Sequence, residues 1–414
     1  MNAICLVIDR LHIGYLGCYG NSWISTRNFD RLAADGFLFD QALIESPDLA
    51  AQYASLASGS HILRRSMAGH TAPTLIERLN KADVHTALIT DDPTVAQMPW
   101  AATIDEVIPI DLNHAAMPVD EIHQSNLARF FAVAGQWLES AAEPFCLWLH
   151  CGSLGSSWDA PLEFRNAYCD EDDPPALADV AVPSRWLPEN YDPDERLSIA
   201  HAYAGQVSLL DICLGMLLEG LEGVPIYDRT LLSVMSARGF PLGEHRRIGP
   251  IDDSLYAELA HVPWIIRLPD GVGASDRSQA LVQPHDLLPT LVEWLALPAL
   301  GTDPPGGSLL SLVRDEPATY RDRAILVGEG KYRAIRTPAW YLLRPGTATG
   351  DAAATHDPAV ELYAKPDDRW DVNNVADRCA EVVDLLEQVL AESAQSSSET
   401  SSTPLADVLL AGLD

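Results

Sequence analysis

Three short, almost unbroken apolar runs limit most strongly how this chain folds: "ICLVID" (4–9), "PFCLWLHC" (144–151) and "RTLLSVMSA" (229–237). Runs of this kind are strands buried on both faces, as in parallel sheets covered by helices on each side. The segments between them supply those helices. "TRNFDRLAADG" (26–36) stops at Gly36, and "TAPTLIERLNKAD" (71–83) puts Leu75, Ile76 and Leu79 on one face. "ERLSIAHAYAGQVSLLDICLGMLLEGLE" (195–222) is a long amphipathic helix, and "PHDLLPTLVEWL" (284–295) is another. Further strands are "LFDQAL" (38–43), "HTALIT" (85–90) and "VPWIIRLP" (262–269). The expectation is an α/β fold over residues 1–317, a large mostly parallel sheet sandwiched by helices.

The texture changes near residue 318. "AILVGE", "KYRAIRT" and "AWYLLRP" (324–345) are short strands divided by tight turns, and "CAEVVDLLEQVLAES" (379–393) is a helix. They predict a small C-terminal α+β lobe, residues 318–393, with an antiparallel sheet. A Ser-rich linker, "AQSSSETSST" (394–403), then leads to an apolar tail, "PLADVLLAGLD" (404–414). The tail reads either as an end packed locally or as a tethered docking segment for a protein partner.

Charge narrows the partners. With 27 Lys+Arg against 59 Asp+Glu the net charge is -32, and only Lys81, Lys331 and Lys365 are lysines. Such a surface repels phosphate backbones, so nucleic acid is not an expected partner, whereas a basic protein is compatible. Seven dispersed cysteines with no CxxC pair read as reduced thiols, buried in the case of Cys5 and Cys146. The first residues read as a core strand rather than a signal peptide, and no apolar run reaches the length of a bilayer span. A cytoplasmic protein without a membrane span is the expectation.

The order of segments resembles the sulfatase family of the alkaline-phosphatase superfamily. "ICLVIDRLHIGYLGCYG" (4–20) is similar to its opening strand and loop, and "STRNFDRLAADGFLFDQAL" (25–43) to its first helix and second strand. "TLIERLNKADVHTALIT", "AYAGQVSLLDICLGMLLEGLE", "PHDLLPTLVEWLAL" and "LYAKPDDRWDVNNVA" continue the likeness in order, to about residue 376. That resemblance implies a formylglycine nucleophile made from Cys or Ser in Cys/Ser-x-Pro-x-Arg. It also implies a calcium ion on the sulfate oxygens, and basic groups around the sulfuryl in transit.

Each of those positions departs from the family. In "ESPDLAAQYASLASGS" (45–60), aligned on Ala54-Ser55-Leu56 and Gly59, the nucleophile position is Leu49, the proline Ala51 and the arginine Tyr53. The family's Asp-Asp after the first strand is Asp9-Arg10, and its Ser-Asp-His/Asn-Gly is Ser236-Ala237-Arg238-Gly239. Of four metal-ligand positions, Asp9, Arg10, Ala237 and Arg238, one keeps a carboxylate. Calcium is therefore the family's cofactor but not an expected one here, and no cofactor is expected. Thr90-Asp91-Asp92-Pro93 stands where the family has Gly-Lys-Trp-His, Leu154–Ser157 where it has Pro-His-x-Pro, and Gly249-Pro250 where it has Gly-Lys.

What remains gives the cleft candidates Asp9, Arg10, Arg238, Glu244, His245 and His150. Arg10 and Arg238 belong at the ends of adjacent strands, either replacing the cation by pairing with Asp9 and another carboxylate or holding a small anionic ligand. Glu244 and His245, in "GEHRR", are an acid–base pair or a packed loop. His150 is a hydrogen-bonded core histidine or a ligand. Ser55, Ser58, Ser60 and His61 lack a nucleophile elbow, and "CDEDDPP" (169–175) lacks EF-hand spacing. The leading expectation is a catalytically inactive sulfatase-like protein that binds or scaffolds a partner, such as an active paralogue. Its rivals are a hydrolase of sulfate or phosphate esters with a rearranged, metal-independent site, and an assembly protein using its acidic surface and tail.

Overall fold

The computed structural model of the chain describes residues 1–65, 73–113, 116–298, 307–317, 320–330, 332–345, 359–393 and 404–412. In chain order the strands begin with β1 (Asn2–Ile8), β2 (Phe37–Ala42), β3 (His85–Thr90), β4 (Glu106–Pro109) and β5 (Phe145–Cys151). A two-residue β6 (Arg185–Trp186) follows, then β7 (Thr230–Ser236), β8 (Arg247–Ile248), β9 (Trp264–Arg267) and β10 (Arg277–Val282). Eight of these form one sheet in the order β10-β2-β9-β7-β1-β5-β3-β4, while β6 and β8 pair in a separate ribbon.

The three apolar runs are the neighbours β7, β1 and β5, parallel to one another and buried at every residue. Only β9 runs against the sheet, antiparallel to β2 and β7. Alternation along β1 divides the core. Ala3, Cys5 and Val7 enter one cluster with Leu56, Leu79 and Leu288, from the helices Leu49–Ser58, Leu75–Lys81 and Leu287–Trp294. Ile4, Leu6 and Ile8 enter the other with Phe130 and Val207, from the helices Asn126–Glu139 and Pro193–Glu222. This is the two-sided covering that the continuous apolar runs call for.

The helix Pro193–Glu222 corrects one expectation: by length and composition it is apolar enough to cross a bilayer. In the fold 78% of its most apolar window is buried, so it is a core helix. Elements the sequence did not announce are β4, whose residues alternate between half-buried and exposed, the polar edge strand β10, and the helix Asn126–Glu139.

In the C-terminal lobe β11 (Ala324–Val327), β12 (Arg333–Arg336), β13 (Trp340–Arg344) and β14 (Glu361–Ala364) form an antiparallel sheet in that order. One face contributes Leu326, Ala334, Tyr341 and Leu343 to the core of the large domain. The other packs Ile335, Leu342 and Leu362 against Val382, Leu386 and Leu390 of the helix Ala380–Ser393. The tail lies on this second core, with Leu405 and Leu409 buried in it and the Trp340 Nε1–H donating to the Val408 carbonyl at 2.8 Å. The Ser-rich linker 394–403 lies outside the described residues.

Candidate functional site at the strand ends

β1 and β7 end side by side, Ile8 in register with Ser236, so Asp9-Arg10 and Ala237-Arg238 emerge together at the carboxyl edge of the sheet. Open α/β sheets place their ligands at this edge. Arg238 donates from Nε to Asp9 Oδ1 at 2.9 Å and from Nη2 to Asp9 Oδ2 at 2.5 Å. Its Nη1 donates to Asp252 Oδ2 at 3.0 Å and to the Pro47 carbonyl at 3.0 Å. Arg10 grips Asp252 with both terminal nitrogens, at 2.7 and 2.8 Å, and its Nε lies 3.7 Å from Asp9. The result is a closed ring, Asp9–Arg238–Asp252–Arg10, of two cations and two anions.

Its electrostatics follow from that closure. Burial pushes the Asp9 carboxyl up, but Arg238 and then Arg10 outweigh it and hold it well below the usual carboxylate range. Burial opposes the charge on Arg238, yet Asp9 and Asp252 raise its pKa further. The backbone is bent to fit, since Arg10 has φ 68, a left-handed conformation that costs a non-glycine residue about 1 kcal/mol. Two glycines allow the close packing around the ring. A Cβ on Gly155 would sit 2.9 Å from Arg10 Cγ, and one on Gly239 would sit 2.0 Å from the Glu258 carbonyl oxygen.

A divalent cation does not fit these residues. Calcium takes six to eight oxygens. Here both oxygens of Asp9 and both of Asp252 already accept from guanidiniums, so a third cation would enter a site that holds two.

The helix Leu49–Ser58 closes the mouth from the other side. Asp48 caps it, its carboxylate accepting from the N–H groups of Ala50 and Ala51. Leu49 and Tyr53 are buried in the core, and Gln52 Nε2 donates to the Ala237 carbonyl at 2.7 Å. Tyr53 stacks on Trp100 with centroids 5.0 Å apart and planes 8° apart. Its hydroxyl oxygen accepts from Trp148 Nε1 at 3.2 Å and lies 2.6 Å from His150 Nδ1. The tautomer of His150 decides which of the two groups donates across that contact. His150 Nε2 is buried with no hydrogen-bond partner among the described residues, 3.9 Å from Asp92 Oδ2. Burial, opposed by Asp9 and Asp92, keeps the ring neutral by lowering its pKa.

Glu244 and His245 are adjacent in sequence but divided in space. Glu244 accepts from His12 Nε2 at 3.2 Å and from the Leu242 N–H at 2.7 Å. His245 stacks on Tyr256 at 3.6 Å, pairs with Glu258 through Nδ1 at 2.8 Å, and reaches the Asp371 carbonyl at 2.9 Å. They do not face one substrate position as an acid and base. Asp91 accepts from the Gly152 N–H at 2.6 Å and from the Ser153 hydroxyl. Its burial pushes its pKa up to about 6 against those hydrogen bonds.

Sequence reasoning missed Asp252, Gln52, His12 and the Trp100–Trp148 pair. Asp252 left a faint signal, a carboxylate two residues beyond Gly249-Pro250, where the family carries a lysine. The others read as ordinary core or turn residues, and only the fold brings them to the strand ends.

A mostly parallel sheet with its site at the strand ends, plus a docked antiparallel lobe, defines a protein of the alkaline-phosphatase superfamily. A protein solved with its substrate D-glucosamine-2-N,6-O-disulfate superposes with a TM-score of 0.73 at 18% identity, over 97% of this chain and 99% of that one. The phosphonate monoester hydrolase of Agrobacterium radiobacter superposes with a TM-score of 0.72 at 17% identity, over 95% of each chain. Within that superfamily the chain belongs to the sulfatase family, whose model, Sulfatase, matches residues 1–297. An N-acetylglucosamine-6-O-sulfatase of Bacteroides thetaiotaomicron is 29% identical over 202 residues, 45% of this chain and 34% of that protein. An arylsulfatase of Clostridium perfringens is 21% identical over 392 residues, 78% of this chain and 80% of that protein. The matched stretches thus span about a third or less of the N-acetylglucosamine-6-O-sulfatase and of the human and rat steryl-sulfatases.

Proposed function

We propose that this chain is a non-hydrolytic member of the sulfatase family that serves as a binding or scaffold protein. The closed Asp9–Arg238–Asp252–Arg10 ring carries the reading. A sulfuryl or phosphoryl group in transit needs a nucleophile and uncompensated positive charge close by. Leu49 has no nucleophilic atom, and the carboxylates of Asp9 and Asp252 already neutralise both guanidiniums. The net charge of -32 gives a basic protein surface, such as one on an active paralogue, as the partner chemistry.

The test joins metal analysis of the purified protein to turnover assays on an aryl sulfate and a phosphonate monoester, the ester classes named by its relatives. The expected result is neither stoichiometric calcium or zinc nor turnover above the uncatalysed rate. Turnover that disappears in Arg238→Met or His150→Ala would overturn the reading.

One observation favours a second reading, ester hydrolysis by a rearranged, metal-independent site. Nε2 of His150, buried beside Asp92 and without a hydrogen-bond partner among the described residues, is a ring nitrogen able to exchange a proton with a substrate. The His150→Ala comparison decides between the two.

A further inference from the structure

Away from the strand ends, a cavity of about 30 Å³ lies where the C-terminal lobe meets the large domain. That is room for about two waters inside a pocket partly open to solvent. Arg336, Lys365 and Arg369 line it together with His261, Gln41 and Tyr341. Three of the 27 cations of a strongly acidic chain therefore meet at one small cavity.

Their charges are poorly matched. Arg336 is 4% exposed, yet its hydrogen bonds all go to neutral acceptors: the carbonyls of Thr337, Pro338 and Trp340, and the Gln41 side-chain oxygen at 3.2 Å. Arg369 donates to the Tyr19 carbonyl at 2.8 Å and lies over the Trp370 ring, and among the described residues it makes no ion pair. Lys365 takes the nearby carboxylate, Asp371, at 2.5 Å. Burial lowers the pKa of Arg336 to about 10, against Asp371, and lowers those of Lys365 and Arg369. His261, whose Nε2 donates to the Asp40 carbonyl at 2.7 Å, is held neutral by burial and by Arg369.

Carbonyls alone do satisfy a buried arginine elsewhere in this fold. Arg165, fully buried, donates to four carbonyls, but its charge is answered by two carboxylates, Asp159 and Asp179. Around the cavity each carboxylate is shared: Asp371, which answers Arg336, is already paired to Lys365, and Asp40, which answers Arg369, is already paired to Arg277, while Asp368 adds to Asp371 at Lys365. A buried charge without a carboxylate of its own is costly, and a small anion in the cavity would offset that cost.

We propose that this cavity binds a tetrahedral oxyanion, phosphate or sulfate, free or as the ester group of a small metabolite, held by Arg336, Lys365 and Arg369. The ligand bridges β2 and the Ala257–Ala260 segment of the large domain to β12 and the Lys365–Arg369 turn of the lobe, and so fastens the two together. This site is separate from the strand-end ring and stands whether or not that ring hydrolyses esters.

Calorimetric titration of the full chain with inorganic phosphate, inorganic sulfate and glucose 6-phosphate tests it, with chloride at matched ionic strength as the control. We expect saturable binding of one oxyanion per chain, absent with chloride. The Arg369→Gln variant should weaken it at least tenfold, and Arg336→Gln likewise where that variant folds. Tighter binding of glucose 6-phosphate identifies an ester group as the ligand, and equal or tighter binding of the inorganic ions identifies the free anion. The proposal fails if the unaltered protein shows no saturable binding of any of the three, or if Arg369→Gln binds as well as the parent. Because Arg238→Met leaves this cavity intact, its oxyanion binding should persist. Loss of binding in that variant alone would move the anion to the strand ends and overturn the assignment.

Discussion

Arg238 holds both carboxylate oxygens of Asp9, Nε on Oδ1 at 2.9 Å and Nη2 on Oδ2 at 2.5 Å, across the ends of two parallel strands. The pair is bidentate and buried, so the guanidinium supplies in fixed form the positive charge that Asp9 needs at the sheet edge. Asp252 and Arg10 complete the exchange and leave the local charge near zero.

Arg238→Met would strand Asp9 with only the more distant Arg10 beside it. The expected cost is about 3–5 kcal/mol at neutral pH, read from urea denaturation. Since the folded pKa of Asp9 is depressed, its stabilising contribution is present above the unfolded value of about 3.9 and is lost as pH falls through the folded one. The gap between parent and variant should therefore narrow below about pH 4. An unchanged gap there would mean that the ring is not what the substitution disrupts.

Tyr53→Phe keeps the ring stacked on Trp100 but removes the hydroxyl between Trp148 Nε1 and His150 Nδ1. Two buried polar atoms lose their partner, at an expected cost of about 1–3 kcal/mol. Chemical denaturation followed by tryptophan fluorescence checks this, and a neutral substitution would contradict the buried network.

Asp91 titrates in the opposite sense to Asp9. Burial raises its folded pKa to about 6, so its favourable contribution is present below the unfolded value of about 3.9 and is lost as pH rises to about 6. The loss is on the order of 3 kcal/mol across that window. Asp91→Asn, which keeps an acceptor for the Gly152 N–H, should flatten that part of the stability–pH curve. An identical curve in parent and variant would assign the slope to other groups.

Truncation after residue 403 would uncover the lobe surface on which Leu405 and Leu409 lie and leave the Trp340 Nε1–H without its carbonyl. Two buried leucines contribute roughly 3–5 kcal/mol by transfer alone. The truncated chain should melt at a lower temperature and bind an apolar dye near the lobe. If melting is unchanged, the tail is free to serve a partner.

Most of the sheet was legible because burial on both faces leaves an uninterrupted apolar run, as in "FCLWLHC" of β5. β10 was not legible. "RSQALV" is an edge strand with polar residues toward solvent, and only pairing to β2 makes it a strand. The helix Pro193–Glu222 shows the reverse case, since its composition alone does not separate a core helix from a bilayer span. Burial on nearly all sides separates them.

At the site, the sequence by itself set the expectation of what is missing. The resemblance puts Leu49 and Tyr53 at the family's nucleophile and arginine positions, and Arg10, Ala237 and Arg238 at three of its four ligand positions, a reading of residue identity alone. The tertiary structure decided what took their place. Asp252 lies 242 residues from Arg10 and 14 from Arg238, and nothing local marks it as their shared partner. Likewise Arg336, Lys365 and Arg369 are unremarkable cations in the chain, and only the docking of the lobe gathers them around one cavity. Ion pairs act over a few ångströms in space, so their partners are set by how the sheet and lobe bring distant residues together and not by sequence spacing.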